Sequence, residues 1–231
     1  MLLLALETTS HHGSAALLRD GEVLGSTPLD ARLYSTQLWT AMDALLAAAG
    51  LERAALEAVA VAHGPGSFTG VRLGLTTAKA LVEARHLAAI SVSTLAAVAA
   101  QGAGSVDAVA PIVAALDAAR GECYLGIYPH GALHFARDAA SADDADHGEV
   151  LLPVAGAQAR LNTLSWPVWT PHGDLAERLR PAAAVSVGDP LLATWVGRLG
   201  HRLLGEGRRC DALRLDANYI RRSDAELFRK L

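Results

Sequence analysis

Two stretches decide how this chain reads: LALETTSHHGSAALL, residues 4–18, and AALDAARGECYLGI, residues 114–127. Each holds an apolar run ending in an acid (Glu7 in the first, Asp117 in the second), a turn of small residues and a second apolar run. Short apolar runs bounded by turn residues read as buried strands. Two such units predict a duplicated chain whose acidic strand ends face a common cleft.

Working outward from the first unit, SAALLRDGEVLGST (14–27) reads as a hairpin with Asp20-Gly21 as its two-residue turn. Leu38, Met42, Leu45 and Leu46 recur at helical spacing and Gly50 stops them, giving a helix over 33–49. A strand at 58–63, a glycine loop, a helix at 70–85, a strand at AAISV (88–92) and a helix capped by Ser93 follow. The order over 1–104 is βββαβαβα.

Residues 105–231 repeat it, with a strand at 108–117 and a hairpin over GECYLGIYPHGALHFA (121–136) turning at Pro129 to Gly131. A loop rich in Ala and Asp (139–148) precedes a helix near 155–162, then VWT (168–170), a helix at 174–180 and AVSV (184–187). Pro190 is placed to open a last long helix, 190–207. The expected fold is α/β, two βββαβαβα lobes, 1–104 and 105–231, around a cleft.

Bulk properties bound the function. A chain of 231 residues buries roughly 70–75% of its unfolded surface and needs no staple. A net charge of -4 argues against a protein that grips nucleic acid unaided. The segment from Arg198 to Leu231 is nevertheless basic, with nine Lys or Arg against five Asp or Glu. It reads as solvated helix and tail, or as a segment that touches RNA within a larger assembly. Cys123 and Cys210 form no CxxC, which suits a reducing cytosol. MLLLAL lacks a basic leader and is interrupted by Glu7, so it is no signal peptide. The uncharged run from His86 to Val106 reads as a buried strand and helix rather than a membrane span.

HGPGSFTG (63–70) lies between a strand and a helix, the geometry of an anion site. It fails both common phosphate codes. Val71-Arg72 stands where a Walker loop has Lys-Ser/Thr, and Thr69 stands where a dinucleotide fingerprint has its third glycine. The other reading is a tight turn in which Gly64 and Gly66 let the following helix approach its neighbours. Gly70, Gly74 and Ala78 then form a smooth ridge suited to close helix contact, against the helix 33–49 or against a partner. Trp39, with Leu38 and Met42, is either core or an exposed anchor.

Glu7 with Thr8, Thr9 and Ser10 resembles a turn that wraps phosphates while its acid holds a metal-bound water; the same spacing suits a plain polar turn over a cleft. No metal site is convincing, because His130 and His134 flank a turn and His11 and His12 point apart when extended. Ser67 lacks the GxSxG frame of a nucleophile elbow.

GPGSFTGVRLGLTTAKAL (64–81) resembles the signature of the TsaB family, proteins of bacterial threonylcarbamoyladenosine (t6A) synthesis on tRNA. LALETTS (4–10), LDAARGECYLGIY (116–128) and NYIRRSDAE (218–226) resemble further family stretches in the same order. The resemblance implies an actin-like, duplicated ASKHA fold and a cytoplasmic, non-catalytic subunit. In the catalytic paralogue, TsaD, a His-x3-His motif follows the strand matching AAISV; here Ser93 to Ala99 holds no histidine. The implied partners are TsaD, in a heterodimer, and the ATPase TsaE, with tRNA met only through the complex. The same surface is expected to offer a homodimer contact when the chain is alone. The expected contact residues are Trp39, Met42, Arg72, Leu73 and Thr76, on helices 33–49 and 70–85. A nucleotide cleft, if used, would draw on Glu7, Thr8, Thr9, Asp117, Gly64 and Gly66. No cofactor is expected of the chain itself, with ATP and magnesium entering only in the assembled complex. The alternative is an active ATP-binding kinase or ATPase of the same superfamily. Two positions depart from the family pattern: Glu7 replaces an Asp, and Tyr34-Ser35 replaces a frequent His-Ser.

Overall fold

The computed structural model describes residues 1–104, 111–128 and 148–221. Its elements run β1 (Leu2–Glu7), β2 (His12–Arg19), β3 (Glu22–Asp30), α1 (Tyr34–Ala48), β4 (Ala58–Ala62), α2 (Phe68–Arg85), β5 (Ala88–Val92) and α3 (Thr94–Ala103). The second half follows as β6 (Ile112–Asp117), β7 (Glu122–Tyr128), β8 (Glu149–Pro153), α4 (Val154–Leu164), β9 (Val168–Thr170), α5 (Gly173–Leu179), β10 (Val185–Val187) and α6 (Ala193–Gly205). The two five-stranded sheets have orders β3-β2-β1-β4-β5 and β8-β7-β6-β9-β10, the same topology twice. This is the duplicated actin-like α/β architecture.

Local chemistry explains the elements. Asp20 and Gly21 both have positive φ, 53° and 86°, as a two-residue hairpin turn requires. β1 and β4 are buried along their whole length and pair in parallel, which their unbroken runs of Leu, Ala and Val permit. α1 turns Tyr34, Leu38, Met42, Leu45 and Leu46 inward.

Three differences from the sequence expectation stand out. The third strand of the second sheet is Glu149–Pro153, which pairs antiparallel with β7; the expected returning arm at 131–136 lies outside the described residues, as does the loop 139–147. α2 begins at Phe68 rather than at 70, because the Ser67 hydroxyl accepts the Gly70 N–H and caps the helix there. α6 begins at Ala193, so Pro190 precedes the helix instead of opening it. Its first amide is met across the chain by the Ser14 hydroxyl, at 3.0 Å.

The helices do not respect the 104/105 repeat boundary. α3 closes the first half in sequence yet packs on β6, β7 and β9 of the second sheet. α6 closes the second half yet packs on β1, β2, β4 and β5 of the first. Gly197 and Gly200 allow that approach: a Cβ there would stand 2.3 Å from Leu18 Cδ1 and 2.5 Å from Ala60 Cβ. The layers are therefore α1 and α2, first sheet, α3 and α6, second sheet, α4 and α5. One core fills the middle, and a separate core lies under each outer helix pair.

Candidate functional site

The β1–β2 turn is held from several sides. Glu7 ends β1 with its side chain fully buried. Its Oε1 accepts both the Thr9 N–H and the Thr9 hydroxyl at 2.6 Å, and Ser10 Oγ lies 3.5 Å from Oε2. Burial pushes the carboxyl up to about 7, against the opposing pull of the Thr9 and Ser10 hydrogen bonds. Thr8 Oγ1 donates to the Gly70 carbonyl at 2.7 Å, and the Ser67 N–H donates to the Thr9 carbonyl at 2.6 Å. Tyr34, where α1 begins, donates to the Ser10 carbonyl at 2.6 Å and accepts the Gly13 N–H at 2.8 Å. Its phenol is raised mainly by burial and secondarily by the Glu7 charge.

The glycines of α2 are consumed by this turn. A Cβ on Gly70 would stand 1.9 Å from the Thr8 carbonyl oxygen, and one on Gly74 would stand 2.5 Å from Thr8 Oγ1. A Cβ on Gly66 would meet the Thr9 carbonyl oxygen at 2.3 Å. The smooth ridge is thus a seat for the end of β1, not a helix-to-helix seam. The glycine loop closes on its own chain too, since the Ser67 amide that an anion would use is already bonded to Thr9.

A cleft of about 860 Å³ opens between the lobes. The β1–β2 turn (Thr9, Ser10), the glycine loop (Gly66, Ser67) and the β6–β7 turn (Asp117, Arg120) wall it, over a floor that includes Val71, Leu116 and Tyr124. Asp117 is exposed and ion-paired with Arg178 at 3.0 Å. His172, also at the wall, has its pKa lowered chiefly by burial. At the rim the Arg72 guanidinium lies 3.7 Å over the Phe68 ring, and its Nε donates to the Tyr219 hydroxyl at 2.9 Å. The Phe68 and Tyr219 rings are 5.2 Å apart.

Of the residues expected at a cleft, Thr9, Gly66 and Asp117 line it, while Glu7, Thr8 and Gly64 stand behind its wall. Glu7 faces its own turn, and the Gly64 carbonyl accepts the Thr94 N–H at 2.9 Å. Of the expected contact residues, Trp39 and Thr76 are exposed and Leu73 is half-buried. Met42 is only 1% exposed, inside the core beneath α1, and offers no surface. Arg72 is exposed at the cleft rim, stacked on Phe68 one turn before it and one turn ahead of Thr76 on the same helix row. The sequence reading missed Phe68 and Tyr219 as cleft residues; their aromatic character inside two otherwise polar motifs was the available signal. His130 and His134 lie outside the described residues, and among the described residues no three His, Cys, Asp or Glu side chains are grouped to hold a metal ion. Among the described residues, no helix is long and apolar enough to cross a membrane.

The chain is similar to known proteins over most of its length. The family model "TsaD: tRNA N6-adenosine threonylcarbamoyltransferase" matches residues 25–161. The "tRNA threonylcarbamoyladenosine biosynthesis protein TsaB" of Escherichia coli is 36% identical over 128 residues, 55% of this chain and 55% of that protein. This chain therefore matches about half the length of that relative. An uncharacterized Mycobacterium tuberculosis protein is 34% identical over 172 residues, 73% of this chain and 78% of its own length. The solved structure of YeaZ from Pseudomonas aeruginosa superposes with a TM-score of 0.69 at 26% identity, covering 94% of this chain and 100% of YeaZ.

Proposed function

This chain belongs to the TsaB family, and on that premise we propose that it takes part in t6A modification of tRNA as a non-catalytic scaffold, docking on TsaD with TsaE. The observation that carries the reading is the start of α3. The family's catalytic paralogue places a metal-binding His-x3-His after the strand matching β5, whereas here Ser93 caps α3 and Thr94 to Ala100 are all buried in the core between the sheets. The helix packs through Leu95 and Val98 into the central core, and Ser93 to Ala99 carries no imidazole. The carboxylates at the two strand ends give little support to catalysis, since Glu7 serves its own turn and Asp117 is tied to Arg178.

The docking face is the outer surface of α1 and α2, where Trp39 of α1 is 37% exposed, Leu33 just before α1 is 48% exposed and Leu73 of α2 is half-buried. Exposed large apolar side chains on adjacent helices are the usual anchors of a protein interface. With Met42 inside the core, the contact set reduces to Trp39, Leu73 and Thr76, with the exposed Arg72 at the cleft end of the same face. The chain itself requires no cofactor in this reading; ATP and magnesium belong to the assembled complex.

Gel filtration of the chain mixed with TsaD tests the proposal. Leu73→Asp and Thr76→Glu should each abolish co-elution while the far-ultraviolet circular dichroism stays that of the native protein. Thr76 is exposed, so its variant keeps the test valid if Leu73→Asp loses stability. Undiminished co-elution of both variants would sink the docking face. The rival reading, an active ATP-using enzyme, draws on the volume of the cleft. Calorimetry of the isolated protein with ATP and magnesium separates the two, since binding with turnover that Asp117→Ala removes belongs only to the enzyme.

A further inference from the structure

The segment after α6 does not trail off the second lobe. It stays on the first lobe, where α6 already packs, and then crosses to the second. Cys210 makes an isolated antiparallel bridge to Ala89 of β5, its N–H donating to the Ala89 carbonyl at 2.8 Å. Leu215 is completely buried in the core beneath α1 and α2. The Asn218 N–H donates to the His63 carbonyl, at the entrance of the glycine loop, at 2.9 Å. All three anchors belong to the first lobe.

The next contacts belong to the other side. Asn218 Nδ2 donates to Glu149 Oε2 of β8 at 2.7 Å, and Arg221 pairs with Glu122 of β7. Glu149 is held in turn, accepting from Ser93 Oγ and, at 3.2 Å, from the Tyr128 hydroxyl. Between the two sets, Tyr219 rests on Phe68 and takes the Arg72 hydrogen bond, and Asn218 to Arg221 line the cleft itself.

We propose that residues 210–221 are an interlobe clasp, with Asn218 as its joint, that fixes the width of the cleft. Asn218 is bonded to one lobe through its backbone and to the other through its side chain. Hinge closure in two-lobed proteins needs a few connecting residues to absorb the rotation while the facing walls slide freely. Here a third connection spans the walls, so rotation must break the Asn218–Glu149 and Arg221–Glu122 contacts or pull Leu215 from its core. The clasp adds to the shared central core a restraint at the mouth of the cleft, a property distinct from any docking role and resting only on contacts within this chain.

Spin labels at Ala44→Cys on α1 and Glu177→Cys on α5, both exposed, report the distance between lobes in the full chain. Cys210→Ser removes the half-buried native thiol, and Cys123 is buried. The expected result is one narrow distance distribution that broadens in Asn218→Ala and broadens further in Asn218→Ala with Arg221→Ala. Amide exchange of residues 149–152 and of His63, Gly64, Gly66 and Ser67 should accelerate by about tenfold or more in the double variant, while β1 and β4 keep their protection. A narrow distribution in the double variant, with only a lower melting temperature, would show that the segment stabilises without clasping and overturn the proposal. A broad distribution in the parent protein would overturn it as well.

Discussion

The two strand-end turns have one topology and opposite environments. In the first lobe Glu7 is buried, its carboxyl raised to about 7, and Thr8 and Thr9 bind it to the glycine loop and to α3. In the second lobe Asp117 is exposed, its turn follows positive φ at Ala119, Arg120 and Gly121, and its partner is the half-exposed Arg178. Duplicated topology has not duplicated the chemistry. What differs is what packs on each turn: α2 presses two glycines onto the first, whereas a Cβ on Gly121 in the second would meet nothing within 4 Å.

The contrast is most severely tested by crowding the first turn. Gly70→Ala places a Cβ 1.9 Å from a backbone oxygen that cannot rotate away. We expect a loss of about 3 kcal/mol in urea unfolding, at the upper end of the usual cost of overpacking. Gly173→Ala, at the start of α5 with nothing within 4 Å, should leave stability unchanged or raise it by about 0.5 kcal/mol. Equal losses in both would erase the distinction between the lobes.

Glu7 sharpens it through pH. Its carboxyl is raised from 4.5 to about 7 in the folded protein, so between those values the folded state holds a proton that the unfolded chain has released. Stability conferred by that proton is complete below about pH 4.5 and is lost as pH rises through 7. Glu7→Gln removes the titration, and its stability relative to the parent should improve by up to about 3 kcal/mol between pH 4.5 and 8. His63 acts in the opposite sense: burial lowers it from 6.5 to about 4, so its contribution is lost as pH falls through that window. It is present in both proteins and cancels in the difference. A pH-independent difference would mean that Glu7 is not held as described. The smallest effect belongs to the exposed turn, where Arg178→Ala should cost less than about 1 kcal/mol, because the ion pair is solvated.

The strands and helices of the first lobe were legible because their signals are local: turn glycines, unbroken apolar runs and helical spacing of Leu38, Met42 and Leu45. The third strand of the second lobe was not. GALHFA offered the nearer apolar partner for β7, whereas β8 depends on a long-range pairing with Cys123 and Leu125 that no spacing announces. The acids at positions 7 and 117 were legible as a pair, but their difference in burial was invisible. The ridge Gly70, Gly74 and Ala78 reads in the sequence as a surface for another helix, yet the occupant of its two glycines, Thr8, lies more than sixty residues away in the chain.

The amino-acid sequence by itself determined the repeat, the α/β class and the family, since periodicity, turn chemistry and motif order are properties of neighbouring residues. Only the tertiary structure decided that α3 and α6 exchange lobes, that Met42 is core and Arg72 is cleft, and that the C-terminal segment crosses the cleft at Asn218. Those outcomes depend on which distant surfaces exclude water together and which buried polar atoms find partners, and neither is written in local spacing.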